Sequence, residues 1–332
     1  MSSKLKTILK LTLPLVLGIV LVWYSISKIT FSELVQYFKD ADYSWIGIGV
    51  FLGILSHLSR AYRWRYMIEP MGYKLRFANS AMAVFAAYLI NYTIPRAGEV
   101  SRASIVTNYE GIPFEKAFGT IVAERVADMF VMLGIIVITL FLEFDFIFKF
   151  FSERFDPYKI GIGLIVLLLL AFLVYTLIRK SNSKFAVKVR TFFNGLIEGV
   201  MSIFRMKYKW AFIGHTLFIW FMYLMMFYLT SFSLEETSDI PFAAILIGFI
   251  SASFSIAATN GGIGAYPVAI FAAFSIFGIA KEPSIAFGWI MWSSQTLMII
   301  ILGGISLLLL PLYNRWHKRK MIDANNSNDI IH

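Results

Sequence analysis

Residues 91–99 read Asn91-Tyr92-Thr93-Ile94-Pro95-Arg96-Ala97-Gly98-Glu99, and they interrupt an apolar stretch that begins near residue 78. Ile94 precedes a proline. Its backbone is therefore biased away from the helical region, and an incoming helix stops there. Gly98 permits a tight reversal, and residues Glu99 to Asn108 can restart a helix. Whether 78–94 crosses a bilayer or turns back within it depends on what lies on either side.

The surroundings are membrane-like. Hydrophobic residues make up 58% of the 332 and charged residues 15%, with a mean hydropathy of +0.72. A soluble domain carries about 45–50% apolar and about 25% charged residues. Apolar runs fall near 8–24, 43–59, 78–94, 117–142, 160–178, 210–232, 241–257, 263–279 and 284–312. Such lengths suit helices crossing a hydrocarbon core of about 30 Å. They do not alternate as barrel strands do. The run from Leu11 to Trp23 follows three lysines, but no small-residue cleavage site follows it, so it reads as a first span rather than a signal peptide. With no cysteine in the chain, disulfides, thiolate metal sites and cysteine nucleophiles are excluded.

Charge placement sets the topology. Twenty of the 30 lysines and arginines sit in four clusters: Lys4 to Lys10, Arg60 to Arg76, Arg179 to Lys209, and Arg315 to Lys320. Segments 25–42, 143–159, 233–240 and 281–283 hold 6 basic against 11 acidic residues. By the positive-inside rule the first set is cytoplasmic and the second external. The net charge of +10 is thereby explained by anionic lipid headgroups rather than by nucleic acid. Yet three apolar runs separate residues 60–76 from 179–209, both inside, and two separate 233–240 from 281–283, both outside.

Two re-entrant hairpins remove both conflicts. Residues 78–115 enter from the cytoplasm and turn at 91–99. Residues 241–280 enter from outside and turn at Ala258-Thr259-Asn260-Gly261-Gly262-Ile263-Gly264-Ala265-Tyr266-Pro267. Each half then reads span, span, hairpin, span, in opposite orientations. The expected fold is an all-α polytopic membrane protein, with six full transmembrane helices plus two helical re-entrant hairpins as an inverted-topology repeat. One transmembrane domain, 1–320, contains repeats at about 1–145 and 158–313 joined through 143–159. A cytoplasmic amphipathic helix is expected at 183–207, and a disordered tail at 321–332. The alternative is that 78–94 spans and one loop breaks the charge rule.

The first tip offers a helix N-terminus with unpaired N–H groups, plus Arg96 and Arg102, an arrangement suited to a lipid phosphate. At the second, Gly261, Gly262 and Gly264 form a permissive turn, and Pro267 suits the first position of a returning helix. Glu124-Arg125-x-x-Asp128 places three charges inside the run 117–142, at a cost of at least about 2.5–3.5 kcal/mol each at a helix centre. They read either as a buried network locking that span to the first hairpin or as part of a substrate or proton path. His57 and His215 read as interfacial hydrogen-bonders, and Gln295 and the serines 251, 253 and 255 as packing residues.

Asn91-x-x-x-Pro95-x-x-Gly98-Glu99-x-x-Arg102, Glu124-Arg125-x-x-Asp128 and Gly261-Gly262-x-Gly264 together resemble the lysylphosphatidylglycerol synthase transmembrane-region family, the flippase-like half of the bacterial multiple peptide resistance factor. The resemblance covers roughly residues 10–312. It implies translocation of an anionic, aminoacylated or polyprenyl-linked lipid, with Arg96, Glu99, Arg102, Glu124, Arg125 and Asp128 as the polar centre. Substrate contacts are expected from these and from Asn91, Gly98, Asn260, Gly261, Gly262, Gly264 and Tyr266. Family members often place proline before the glycine pair and an acid shortly after it, where this chain has Asn260 and Pro267. The family's two-part members append a soluble aminoacyl-transferase domain, which the sequence to His332 lacks, so no synthase activity is expected.

The sequence thus predicts a lipid flippase or scramblase of the bacterial cytoplasmic membrane, with both termini cytoplasmic, membrane phospholipid as its ligand, and no cofactor or metal. Set against it are a non-catalytic partner of a separate lipid or cell-wall synthase and an intramembrane lipid-modifying enzyme. The last finds no nucleophile–base pair or metal-ligand spacing to support it.

Overall fold

The computed structural model describes residues 16, 18, 20–94, 97–154, 156–181, 183, 186–191, 203, 205–259 and 261–329. Among them there is no strand. That is what lipid imposes: with no water to satisfy backbone polar groups, the chain closes its hydrogen bonds within helices. In chain order, helical residues 20–26 are followed by α1 (Phe31–Asp40), α2 (Tyr43–Ile68), a 3-10 turn (Glu69–Met71), α3 (Phe77–Thr93) and α4 (Ala97–Glu110). Then come α5 (Phe114–Leu142), α6 (Phe144–Arg154), α7 (Pro157–Lys180), α8 (Lys209–Ser231), α9 (Glu235–Ser238), α10 (Phe242–Ala258), α11 (Ala265–Ser275) and α12 (Lys281–Asp329).

Among the described residues, three helical stretches are long and apolar enough to cross a membrane: Phe114–Leu142, Lys209–Ser231 and Lys281–Lys318. The pair α1–α2, bent by 84°, makes a fourth when read as one span. The bend is written into the sequence. Thr30 and Glu33 form a reciprocal capping box at the start of α1. At the corner Asp42 caps α2 by accepting from the Ser44 N–H, while the Asp42 N–H donates to Ser233 O. The chain is an all-helical, multi-pass membrane protein. Residues 143–159, expected as a joining segment, carry α6. The span expected at 8–24 and the surface helix expected at 183–207 lie largely outside the described residues, although 186–191 is helical.

The chain divides into two compact bodies, one formed by Met1–Val122 with Trp210–His332 and the other by Ala123–Lys209. In the second, α5 and α7 expose apolar side chains such as Phe141, Leu169 and Phe172, a surface suited to lipid tails. In the first, α3 and α4 form an antiparallel hairpin. Its base is tied by the Arg76–Glu110 ion pair at 3.0 Å, and near its tip Gly98 N donates to Asn91 Oδ1 at 2.8 Å. A second antiparallel hairpin pairs α10 with α11. There a Cβ at Gly248 would lie 2.7 Å from Phe274, and Phe227 meets both Phe249 and Phe274 edge-on.

α12 carries both hairpins. A side chain at Gly288 would overlap Pro267 of the second, and one at Gly303 would lie 2.6 Å from Leu89 of the first. Farther on, Asn314 exchanges two hydrogen bonds with Asn79. The helix runs on to Asp329, where a disordered tail from 321 was expected. Extending an established helix requires no new nucleus, and no breaker follows Pro311 in the sequence.

Candidate functional site

The incoming helix of the first hairpin ends at Thr93, with Ile94 in extended conformation (φ −127°, ψ 109°), as expected of a residue before proline. Gly98, however, is not the pivot of the turn. It lies in the first turn of α4, where a Cβ would overlap the Ala87 carbonyl and sit 2.6 Å from the Asn91 amide. Its missing side chain lets the two arms touch. Asn91 binds the Gly98 N–H, one of the donors that a helix start leaves without an intrahelical acceptor. The expected ligand contact at Asn91 is therefore already a contact within the tip.

The second tip turns on Gly261, Gly262 and Gly264, all with left-handed φ values of 67°, 78° and 69°. Because Gly264 completes the turn and caps α11, the helix begins at Ala265. Pro267 therefore falls at its third position instead of the first. The missing N–H is harmless there, since the first turn has no intrahelical acceptor for it. Tyr266 is 6% exposed.

The two tips meet. A Cβ at Gly261 would lie 2.5 Å from Tyr92 Cε1 of the first hairpin. Successive turns of α12 hold both: Trp292 Nε1 donates to Gly261 O at 2.8 Å, and Thr296 Oγ1 donates to Tyr92 OH at 3.2 Å. Residues 292 and 296 share a helix face at i, i+4, so one ridge clamps both interruptions. At 1.5 Å per residue, Thr296 lies about 22 Å along α12 from Lys281 and about 27 Å from Asn314.

Along α2 and α4, toward the base of the first hairpin where Ser80 Oγ donates to Ala61 O at 2.7 Å, the first body buries an unexpected set of cations. Arg60 and Arg63, expected by charge pattern in a cytoplasmic cluster, are 2% and 0% exposed, and Arg102 is 3% exposed. The Arg102 guanidinium lies 3.9 Å from the centre of the Trp64 ring, a cation–π stack. Trp64 Nε1 in turn donates to Thr120 Oγ1 at 2.8 Å. Arg63 Nη1 donates to Thr216 Oγ1 at 2.6 Å, with its guanidinium over Phe212. One turn before Arg60, His57 is enclosed by Phe85, Tyr88 and Tyr223. His215 Nδ1 shares a 2.8 Å hydrogen bond with Ser59. The spacing of 56, 57, 60, 63 and 64 on one face of α2 is the signal that would have found this cluster.

Thr216→Val is expected to destabilise the detergent-solubilised protein by about 1–3 kcal/mol, because it removes an acceptor from a buried charged donor. Thermal unfolding of the purified variant reads this directly. Thr176→Val, on an exposed site, serves as the control.

The remaining expected residues divide as follows. Glu99 is half-buried in the first turn of α4. Glu124 and Asp128 are 0% and 6% exposed. Arg125 reaches Asp128 at 4.0 Å with its own side chain 42% exposed. All three belong to the second body. Gln295 stays in a packing role beside Gly53, and Ser253 and Ser255 bond within their own helix. Arg96 and Asn260 lie outside the described residues. No group of three His, Cys, Asp or Glu side chains able to hold a metal occurs among the described residues.

The sequence matches the family described as Lysylphosphatidylglycerol synthase TM region over residues 11–304. It is 25% identical over 331 residues to the UPF0104 membrane protein MJ1595 of Methanocaldococcus jannaschii, covering 91% of this chain and 96% of that protein. A shorter likeness, 28% identity over 105 residues, relates 31% of this chain to 17% of the Glycosyltransferase AglD of Haloferax volcanii.

Proposed function

Because the chain belongs to the lysylphosphatidylglycerol synthase TM-region family, we propose that it moves an anionic, aminoacylated or polyprenyl-linked lipid between the leaflets of its membrane. The observation that carries this reading is the tip-to-tip meeting of two interrupted helices at Tyr92 and Gly261. In lipid, irregular backbone is tolerated only where protein buries it or where it lines a wet cavity. Two such breaks facing each other are the arrangement in which transporters hold a polar ligand between two accessible states. We infer six full spans plus two re-entrant hairpins, in inverted repeats about 1–145 and 158–313, an arrangement in which the junction falls near the midplane. The basic ends then face the cytoplasm.

In this reading the headgroup passes between the two hairpins while the acyl chains remain in lipid. The helix start at α4, together with Arg102 and Arg96, supplies positive potential for a phosphate. Arg60 and Arg63 extend that potential along α2. No bond is made or broken. The protein lowers the cost of bringing a charged headgroup into hydrocarbon by replacing its water with fixed donors.

Reconstitution in liposomes with head-labelled phosphatidylglycerol and an aqueous quencher tests the proposal. Inner-leaflet label is expected to become quenchable faster than in protein-free vesicles. Unchanged protection across anionic, aminoacylated and polyprenyl-phosphate lipids would contradict it. The likeness to a glycosyltransferase covers only 17% of that enzyme, so glycosyl transfer does not follow from it. It does favour, as a second reading, a membrane partner for a separate synthase. That reading predicts a co-purifying synthase, lost on surface substitution while the buried arginines remain intact.

A further inference from the structure

The base of the first hairpin carries a polar cluster that neither the charge pattern nor the family motifs single out. Arg76 Nε donates to both carboxylate oxygens of Glu110 at 3.0 Å. Its Nη2 donates to Tyr109 O at 2.8 Å and to Asn314 Oδ1 at 2.9 Å. Asn79 Nδ2 donates to Glu110 Oε1 at 2.6 Å and to Asn314 Oδ1 at 2.9 Å. Asn314 Nδ2 returns a bond to Asn79 Oδ1 at 2.8 Å. The start of α3, the end of α4 and the second half of α12 are thus bound into one network. Asn79 is wholly buried, and the Glu110 side chain is 6% exposed.

Just inside this network the contact between hairpin and α12 changes character. Phe85, Met298 and Ile299 form a buried apolar cluster, with Leu89 and Leu302 packed on it. A junction meant to be permanent is served as well or better by such apolar packing, since polar groups must be desolvated to pair. A polar junction at the end of a helix pair has a different property: its groups can be rehydrated when they part.

The hairpin's connections to the rest of the chain are also permissive. Gly72 before it and Gly111 after it both have left-handed φ, 86° and 66°, and nothing crowds either one. Two glycine joints flank a stiff, internally hydrogen-bonded hairpin.

We propose that Arg76, Asn79, Glu110 and Asn314 form a releasable latch. It closes the mouth of the first hairpin against α12, and when it opens the hairpin swings on Gly72 and Gly111 to admit a headgroup from the basic side. This rests on the translocation reading above. The latch holds the closed state, and its ion pair and amide exchange are what an arriving anionic headgroup competes for at Arg76.

Since the chain has no cysteine, the test is direct. Asn79→Cys/Asn314→Cys, joined by a reducible bis-methanethiosulfonate, is expected to translocate lipid at about a tenth of its reduced rate or less, with recovery on reduction. Equal rates before and after bridging would overturn the latch.

A second readout does not need transport. Met298→Cys, at a site 5% exposed, is expected to react with a water-soluble maleimide about tenfold faster once Glu110→Gln and Asn314→Ala are added. That is the factor set by the loss of a charge-assisted hydrogen bond. Equal labelling below the melting temperature would overturn the proposal, because a merely structural network would change the melting point alone. Absence of transport in the unmodified protein, with the labelling difference intact, would reject the translocation reading and retain the latch.

Discussion

Gly98→Ala is expected to destabilise the protein by at least about 1–3 kcal/mol, the ordinary cost of overpacking a filled interface, and Gly98→Val to prevent recovery of folded protein. A Cβ there meets the Ala87 carbonyl oxygen, which is backbone and cannot rotate away, and the Asn91 amide, which already holds the Gly98 N–H. Either the hairpin arms separate or the Asn91 bond breaks. In both cases the tip loses the geometry that presents Tyr92 to the second hairpin. Gly134→Ala is the matched control, because a Cβ at that helical glycine meets nothing within 4 Å and alanine is the better helix former. Thermal unfolding of the two variants in one detergent separates local crowding from the general cost of changing a glycine.

Gly264→Ala is expected to have a comparable effect by two routes. Its φ of 69° is a conformation that costs an L-residue roughly 1–2 kcal/mol. Its Cβ would also overlap the Val22 backbone nitrogen and lie 2.7 Å from the Leu21 carbonyl carbon. The helical residues 20–26 would have to move off the second tip. Relative to wild type, the variant is expected to melt earlier and to lose lipid translocation, whereas Gly278→Ala shares the positive φ without crowding. If Gly278→Ala is as damaging as Gly264→Ala, backbone strain alone explains the effect and the close approach of residues 21–22 does not matter.

The parts of the fold that were legible in the sequence depended on local backbone rules. Ile94 before Pro95 marked the end of α3 within one residue, and the three clustered glycines marked the second turn. Local rules did not reveal what those glycines are for. Gly98 serves close approach between arms, a property of two segments that no single segment shows. The starting point of α11 shifted for a similar reason: the turn closes at Gly264, so Pro267 arrives two positions late.

Charge was the least transferable signal. Counting Arg60 and Arg63 by position on the chain put them among headgroups, yet both are buried, and Arg63 lies on the face of α2 that α8 covers through Phe212 and Thr216. A helical-wheel reading of 56–64 separates them from the exposed side, where Arg65 pairs with Glu69 at 34% exposure. The partnership of Asn79 with Asn314 joins residues 235 apart and had no local trace at all. Asparagine in an apolar helix signals a polar partner, but not which one.

Translocation through the junction requires contact between the two hairpin tips, and bridging Tyr92→Cys to Gly261→Cys in native membranes tests that contact. A disulfide, or a bridge by a short bis-methanethiosulfonate, is predicted to form intramolecularly and to be reversed by reductant. Failure to bridge this pair, in a protein that is folded and whose Asn79→Cys/Asn314→Cys pair does bridge, would contradict it.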